Sequence, residues 1–200
     1  MPATEQHRFA RRGWQPLRWT RRFLFLTGTA AVLYVALTLL YADHFQRVAS
    51  DVLEKQMSAQ EQHGLKPSVP KRGDVLGFIE IPRLGVKVAI LEGTTQKTLL
   101  LGVGHIEGTP LPGDPGNAGI AGHRDTYFRA LRNIRAGDKI QILTAAGSSL
   151  YVVDWTRIVA PEDTEILTPS SGSAITLVTC YPFYYIGAAP ERFVVHAVKG

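Results

Sequence analysis

The chain has 200 residues, enough for one domain of ordinary size with some additional segments. Its net charge of +5 is concentrated at the N-terminus: residues 1–22 contain six arginines and one acid, and the remainder has 16 basic and 16 acidic residues. The charge therefore belongs to a tail, and we expect no nucleic-acid partner. A hydrophobic content of 45% excludes general disorder. The single cysteine, Cys180, excludes an intramolecular disulfide and a multi-cysteine metal site.

An uncharged stretch follows the basic tail. Residues 23–41 carry no charge, and 19 residues of helix span roughly 28 Å, close to the hydrocarbon thickness of a bilayer. We therefore predict a transmembrane helix at 23–41 that contacts the lipid bilayer. The preceding arginines predict a single-pass protein with residues 1–22 as a cytoplasmic tail and the remainder outside the membrane. A cleaved signal peptide is usually shorter, and a buried core helix is rarely apolar on every face.

Residues 42–73 are predicted to form a stalk helix and a linker. A modest apolar stripe at helical spacing runs along the helix: Phe45, Val48, Val52, Leu53 and Met57. The stripe is a self-association seam or belongs to a simple spacer, and we favour the spacer. Pro67 and Pro70 end the helix and stiffen the linker. Because these segments contribute position, we expect a chain that starts near Lys71 to stay soluble and functional.

From residue 74 to residue 200, short β segments alternate with glycine and proline. Val- and Ile-rich strands are predicted at residues 75–81, 86–91, 118–121, 139–143, 150–159, 174–179 and 193–198, with short helices around 96–101 and 127–134. This pattern predicts an all-β domain, a barrel or a sandwich, that carries small helices.

Two features of this domain are candidate phosphate sites. Four arginines recur at helical spacing, which favours a solvated helix face: Arg124, Arg129, Arg132 and Arg135. The second feature, Gly102-Val103-Gly104, has Glu107 where a dinucleotide fingerprint requires its third glycine. We therefore predict no cofactor.

Cys180 lies where a β segment meets Tyr181-Pro182. A proline cannot continue a central ladder, so the cysteine is expected at a strand end, near the rim of the domain. Free cysteine is often a small buried hydrophobe. An exported chain with one unpaired cysteine nevertheless carries an oxidation hazard, which favours a chemical use.

A cysteine nucleophile needs a partner that handles protons, and histidine is the usual one. His123 ends a strand of small residues, 119–122, that lets backbone and substrate approach closely. His105 is expected in a loop, as a surface residue or as a contact behind the site, and we favour the surface. The other histidines lie in the tail, the stalk and the terminal strand: His7, His44, His63 and His196.

The domain resembles the sortases, membrane-anchored cysteine transpeptidases of bacterial surfaces, and class D in particular. The resemblance rests on Thr176-Leu177-Val178-Thr179-Cys180, on Gly122-His123-Arg124, and on the downstream Arg192. The order of His123, Cys180 and Arg192 is the order of the family, and their separations of 57 and 12 residues agree with it.

The resemblance implies a closed eight-stranded β-barrel in which Cys180 is the nucleophile, His123 the general acid and base, and Arg192 the group that holds the oxyanion and the substrate. Its substrates would be secreted proteins with a C-terminal LPXT-type sorting signal, and its acceptor an amine of a cell-wall precursor or another protein. Asp125 either completes a triad or caps a turn, and we favour the cap.

Two other functions stay open on the same framework, a hydrolytic cysteine protease and a non-catalytic, membrane-tethered barrel that binds peptides. Some sortases bind calcium through loop acids. The domain has acids that could lie in loops, but their spacing does not require a site, and we predict no metal: Glu92, Glu107, Asp114, Glu162, Asp163 and Glu165.

Overall fold

The computed structural model describes residues 15–63, 69–169 and 172–200. The chain divides into two compact units, one that ends at Tyr41 and one that runs from Ala42 to Gly200. Of the basic tail predicted over residues 1–22, residues 1–14 lie outside the described ranges, and so do linker residues 64–68.

The first unit contains the N-terminal part of helix α1 (Gln15–His63). Large apolar side chains there are exposed, with Phe25 and Tyr34 among the most exposed. Within the described residues one helical stretch, Arg18–Ser58, is long and apolar enough to cross a membrane, judged by length and composition. The predicted span at 23–41 lies within this stretch.

The second unit is a closed β-barrel, as predicted. Its described strands are β1 (Val75–Ile81), β2 (Val86–Glu92), β3 (Val103–His105), β4 (Gly116–Gly122), β5 (Lys139–Thr144), β6 (Gly147–Val159), β7 (Ser173–Tyr181) and β8 (Glu191–Lys199). They follow one another around the barrel in the order β1-β2-β3-β4-β7-β8-β6-β5. The β2–β3 and β4–β7 pairs are parallel, and the other neighbouring pairs are antiparallel.

Successive side chains of a strand point to opposite faces of the sheet, and the inward-facing apolar ones fill the barrel interior. Ile79 and Ile81 of β1 and their partners Val88 and Val86 of β2 all belong to one core cluster. Each fully buried aliphatic side chain contributes about 1.5–3 kcal/mol relative to an exposed one. The largest buried side chains are Tyr151, Phe128, Ile79, Ile81, Ile90, Leu91, Ile120, Leu131, Ile140, Ile142, Ile175 and Leu177.

The short connections differ in part from the prediction. Helix α2 (Gln96–Leu101) begins after Thr95, whose side-chain oxygen accepts a hydrogen bond from the Thr98 amide, and it matches the predicted segment. The patch predicted as a helix at 127–134 is instead a 3₁₀ helix, Arg129–Asn133. Further 3₁₀ helices occupy Pro82–Leu84 and Glu165–Leu167. Strand β3 was not predicted.

The last part of α1, after Ala42, packs on the outside of the barrel. Ala49 and Leu53 are buried in a cluster with Phe78 of β1 and Ala89 of β2. Gln46 adds two hydrogen bonds: its Oε1 accepts from the Ala89 amide at 2.9 Å, and its Nε2 donates to the Leu101 carbonyl at 2.5 Å. The structure therefore contradicts the spacer interpretation.

Candidate active site

Strand register brings the three residues singled out from the sequence to one region of the barrel. Cys180 is directly opposite Arg192 in the antiparallel β7–β8 pair. Gly122 is opposite Thr179 in the parallel β4–β7 pair, so His123 and Cys180 each follow a paired residue at the same end. Residues opposite one another in an antiparallel pair share a face, with Cβ atoms about 4.5–5.5 Å apart.

Among the described residues, the functional atoms of His123 and Cys180 have no protein partner. Both residues are partly buried. Within residues 15–63, 69–169 and 172–200, no hydrogen bond or ion pair engages the imidazole of His123 or the thiol of Cys180. Both groups are therefore available to a substrate.

Threonine hydroxyls tie the histidine strand to the cysteine strand. Thr179, buried and adjacent to Cys180, donates a 2.7 Å hydrogen bond to the carbonyl of Gly122, the residue before His123. Thr176 donates at 2.8 Å to Oδ1 of Asn117 at the other end of β4. The two bonds therefore hold β4 and β7 in register near both ends of the pair.

Gly122 is required by a close approach of an aromatic ring. A Cβ at this position would lie 2.6 Å from Cδ2 of Phe128, whose side chain is fully buried. The Phe128 amide donates to the carbonyl of His123 at 3.1 Å and closes the turn that follows it. The glycine thus lets Phe128 pack beneath the strand end that carries His123.

The guanidinium of Arg192 contacts the turn that precedes β8. Its Nη1 donates to the carbonyls of Ala189 at 3.2 Å and Glu191 at 3.0 Å. Among the described residues, no partner engages its Nη2 or Nε. A permanently charged group with free, forked donors, directly opposite a thiol, is able to hold a carbonyl oxygen that becomes negatively charged.

An aromatic cluster borders Cys180, and the sequence analysis did not identify it. The rings of Phe183 and Phe193 lie 5.3 Å apart between centroids, and Tyr181 lies 6.0 Å and 6.3 Å from them. Phe183 and Phe193 also pack against the barrel core. The available signal was the recurrence of aromatic residues on both sides of the loop between Cys180 and Arg192.

The structure corrects the interpretation of His105. This residue lies in β3 rather than in a surface loop, and it is only 2% exposed. Its Nδ1 lies 2.8 Å from Oε2 of Glu92, and its Nε2 lies 3.0 Å from the carbonyl of Pro110. Both ring nitrogens therefore face oxygens of the protein, and the imidazole links β2 to the β3–β4 connection by hydrogen bonds.

The surroundings of Asp125 and Arg124 also bear on what was predicted from the sequence. Asp125 is exposed. Its carboxylate forms an ion pair with Arg124, at 3.4 Å from Nε, and this is its one ion pair among the described residues. No described contact joins it to His123, so the geometry does not assemble a triad. Arg124, assigned by spacing to a solvated face, is buried, whereas Arg129, Arg132 and Arg135 are exposed.

His196 lies apart from this group, on β8 opposite Trp155 of β6. Its ring stacks on Trp155 with 4.9 Å between centroids. Burial lowers the pKa of His196, which opposes a role as a charged group at neutral pH.

The comparisons with known proteins agree with this architecture. The Sortase domain family matches residues 79–199. Sortase D of Bacillus subtilis is 37% identical over 131 residues, which cover 65% of this chain and 66% of that protein. Sortase SrtE1 of Streptomyces coelicolor is 28% identical over 176 residues, 78% of this chain and 50% of the relative. The chain thus spans about half to just under two thirds of these relatives.

Several solved sortase structures are similar to this chain, and two of them illustrate the likeness. A Sortase D5 transpeptidase of Clostridium perfringens superposes with a TM-score of 0.68 at 27% identity, covering 78% of this chain and 99% of that one. A lid mutant of sortase A from Corynebacterium diphtheriae gives 0.61 at 28% identity, covering 80% and 94%. With the closed barrel and the family match, these findings show that the chain belongs to the sortase family. Within the family it is class D-like, as its similarity to Bacillus subtilis Sortase D shows.

Proposed function

We propose that this chain is a cysteine transpeptidase that cleaves an LPXT-type sorting signal after its threonine and transfers the acyl group to an amine. The observation that supports this most strongly is the strand register, which brings Cys180 opposite Arg192 and next to the strand end that carries His123. Membership of the sortase family is consistent with this chemistry.

In the first half-reaction, the Cys180 thiolate attacks the carbonyl carbon of the threonine, and the carbonyl electrons move to oxygen to form a tetrahedral oxyanion. Collapse of this intermediate breaks the C–N bond. His123, as imidazolium, gives a proton to the departing amine. The products are a thioester on Cys180 and a free amine from the C-terminal part of the sorting signal.

In the second half-reaction, an acceptor amine attacks the thioester carbonyl. Neutral His123 takes a proton from this amine, the C–S bond breaks, and the thiolate and imidazolium return. The product is a new amide between the substrate threonine and the acceptor, which is an amine of a cell-wall precursor or of another protein.

Arg192 stabilises both tetrahedral intermediates. Its unpartnered Nη2 and Nε donors are available to the developing oxyanion, and its Nη1 is held by the turn at Ala189 and Glu191. Guanidinium remains charged throughout and offers donors in a fixed fork. Interactions of this kind act mainly in the transition state, where the negative charge develops.

The proposed location is the cell membrane. The apolar helix anchors the chain through residues 23–41, with the arginine-rich tail in the cytoplasm and the barrel outside. Protease added to intact cells should reach the chain beyond Asp43 and spare residues 1–22. Cleavage of the tail with protection of the barrel would overturn this orientation.

The experiment uses the full chain in detergent micelles. LPXT peptides with a varied fifth residue are added with and without an amine acceptor, and intact-mass spectrometry follows the enzyme and its products. We expect one acyl adduct, assignable to Cys180 because the chain has a single cysteine, and a ligated product when amine is present. Cys180→Ala should abolish both, whereas the control His44→Ala, at an exposed helix position, should abolish neither.

Three results would contradict the proposal. Transfer by Cys180→Ala above a few per cent of wild type would remove the nucleophile. Hydrolysed product alone, even at high amine concentration, would define a protease. A folded chain whose thiol forms no adduct with any peptide would favour a barrel that only binds peptides.

A further inference from the structure

Arg124 is a buried arginine whose guanidinium contacts one loop, through main-chain carbonyls and the ring of Tyr185, and its own neighbour, Asp125. It is 7% exposed. Its Nη1 donates to the carbonyl of Pro182 at 3.1 Å, and its Nη2 donates to those of Tyr185 at 2.7 Å and Gly187 at 3.0 Å. The remaining donor, Nε, lies 3.4 Å from Asp125.

The three acceptors belong to the connection at residues 182–190, which joins β7 to β8 and contains no helix or strand. Within this connection, the described main-chain hydrogen bond runs from the Tyr185 amide to the Pro182 carbonyl at 3.3 Å. Phe183 packs against the barrel core at the start of the loop, but the tip is exposed, with Ile186 97% accessible, so burial of side chains does not hold the tip. Arg124 supplies three of the described hydrogen bonds to this loop, more than any other residue, and all three are to main-chain carbonyls.

The desolvation cost of the buried Arg124 guanidinium must be compensated by its hydrogen bonds. Removing a guanidinium from water is strongly unfavourable unless hydrogen bonds compensate, and Asp125 is too exposed to compensate strongly. Three carbonyls at separate positions provide that compensation. The fork of an arginine reaches them from two nitrogens, whereas a lysine ammonium is a single point charge on a flexible stem.

The position of Arg124 in the chain gives these contacts their importance. Arg124 directly follows His123, Pro182 lies two residues after Cys180, and the loop continues to Arg192. One side chain therefore connects the backbone beside His123 to the segment between Cys180 and Arg192. The Ala189 carbonyl, which accepts a hydrogen bond from Arg192, belongs to the same loop.

We propose that Arg124 is a positioning residue, which sets the placement of His123 relative to Cys180 and Arg192 by holding the β7–β8 loop; this inference rests on the proposed function. It does not contact the reacting atoms. Loss of the contacts lets the loop move and misplaces Arg192 and the Cys180 strand end relative to His123. Misplacement of reacting groups by about 1 Å costs on the order of 10²-fold in rate.

The test compares Arg124→Gln and Arg124→Lys with the matched control Arg132→Gln in the full chain. Arg132 is exposed and contacts the same loop, but through the Tyr184 hydroxyl at 2.6 Å and not through the main chain. Each variant is measured for kcat and KM of peptide cleavage, for the pH profile of Cys180 alkylation by iodoacetamide, and for hydrogen exchange of amides 183–189. Alkylation stoichiometry counts the reactive thiols, and the thermal unfolding transition of each variant shows that the chain is folded.

We expect Arg124→Gln to lower kcat per reactive site by on the order of 10²-fold, with a smaller change in KM. The pH profile of alkylation should shift because His123 no longer lies at its usual distance from the thiol. Exchange in the loop should accelerate, Arg124→Lys should recover only part of kcat, and Arg132→Gln should stay within about threefold of wild type.

A kcat of Arg124→Gln within threefold of wild type, with an unchanged alkylation profile, would overturn the inference. So would a full rescue by Arg124→Lys, because a point charge would then suffice. Failure of the proposed function looks different: wild type itself would form no acyl adduct. Faster exchange confined to Arg124 variants would then still support the hold on the loop, and unchanged exchange would refute it.

Discussion

Two regions of the barrel are held together in opposite ways. The His–Cys–Arg edge, defined by His123, Cys180 and Arg192, lies at the ends of β4, β7 and β8. The helix face, defined by Ala49, Leu53, Phe78 and Ala89, lies where α1 packs on β1 and β2. In the closed strand order β1 is four strands from β7 in either direction, so the two regions are on opposite sides.

The edge is organised by hydrogen bonds to main-chain carbonyls, from Thr179, Arg124 and Arg192. The helix face is organised by apolar contact, with one glutamine that supplies the polar contacts. Hydrogen bonds are directional and fix distances, whereas apolar burial is non-directional and contributes mostly free energy. Substitutions at the edge should therefore change catalysis more than stability, and substitutions at the helix face should do the reverse.

The largest expected effect belongs to Arg192→Ala. If the guanidinium holds the oxyanion, its loss costs about 2.7–4 kcal/mol of transition-state stabilisation, or roughly 10²–10³ in kcat. Arg192→Lys should recover only part of this rate. Single-turnover thioester formation is the measurement, with Arg157→Ala as the control, since Arg157 is an exposed arginine on neighbouring β6 that lies over Trp155.

The unfolding temperature separates this role from a structural one. Arg192 is partly buried and donates to two main-chain carbonyls. A hydrogen bond of this kind contributes about 0.5–1.5 kcal/mol net, so Arg192→Ala should melt only slightly below wild type. An Arg192→Ala enzyme within threefold of wild type would mean that the arginine is structural and that backbone amides near Cys180 hold the oxyanion.

Much of the edge was predictable because its residues are neighbours in short motifs. Cys180 was expected at a strand end from the proline that follows Tyr181, and β7 does end at Tyr181. His123 was expected after a strand of small residues, and β4 ends at Gly122. Local sequence determines where a strand stops, and strand ends determine which side chains reach the rim.

The sequence analysis missed the helix face and the surroundings of Arg124 and His105. β1 has apolar residues in both phases, with Ile79 inward and Phe78 against the helix, and this double apolarity was the available signal that a partner covers the outer face. Arg124 was grouped by helical spacing with arginines of a 3₁₀ helix that begins only at Arg129. The partner of His105, Glu92, is 13 residues distant, and β3, with three residues, is too short for alternation to reveal.

The next largest effect is expected at the helix face. Leu53→Ala removes a buried side chain between α1 and the barrel and should lower the free energy of unfolding by about 2 kcal/mol, the low end for buried leucines because the site lies at the barrel surface. Thermal unfolding and kcat below the transition are the measurements. Val52→Ala, on the exposed side of the same helix, is the control.

The same contacts add a stability prediction for a chain that starts near Lys71, which is still expected to be soluble and functional. Such a chain uncovers Phe78 and Ala89 and loses Gln46, so it should melt below the full chain rather than match it. Equal melting of the two chains, or a loss of kcat in Leu53→Ala without a loss of stability, would remove the distinction between the two regions.

A smaller effect is expected for Gln46→Ala. The substitution leaves the Ala89 amide and the Leu101 carbonyl without their side-chain partner, and an unsatisfied, partly buried group costs roughly 1–2 kcal/mol. Denaturant unfolding measures the loss, and Gln46→Glu retains the acceptor but not the donor. Stability equal to wild type in both variants would show that water replaces these bonds without cost.

The smallest effect is expected from two threonines of β7, one next to the His–Cys–Arg edge and one farther from it. Thr179→Val and Thr176→Val each remove one hydroxyl bond between β7 and β4, at 2.7 Å and 2.8 Å in the native structure. Each should cost about 1 kcal/mol of stability. Only Thr179 holds the carbonyl before His123, so only Thr179→Val should also lower kcat, by roughly fivefold if about 1 kcal/mol of positioning is lost. Thr179→Ser, which keeps the hydroxyl, should restore kcat more than stability. Equal kcat losses in the two valine variants would mean that the β4–β7 pair acts as one rigid unit, and that the position of His123 depends on the whole pair rather than on its last hydrogen bond.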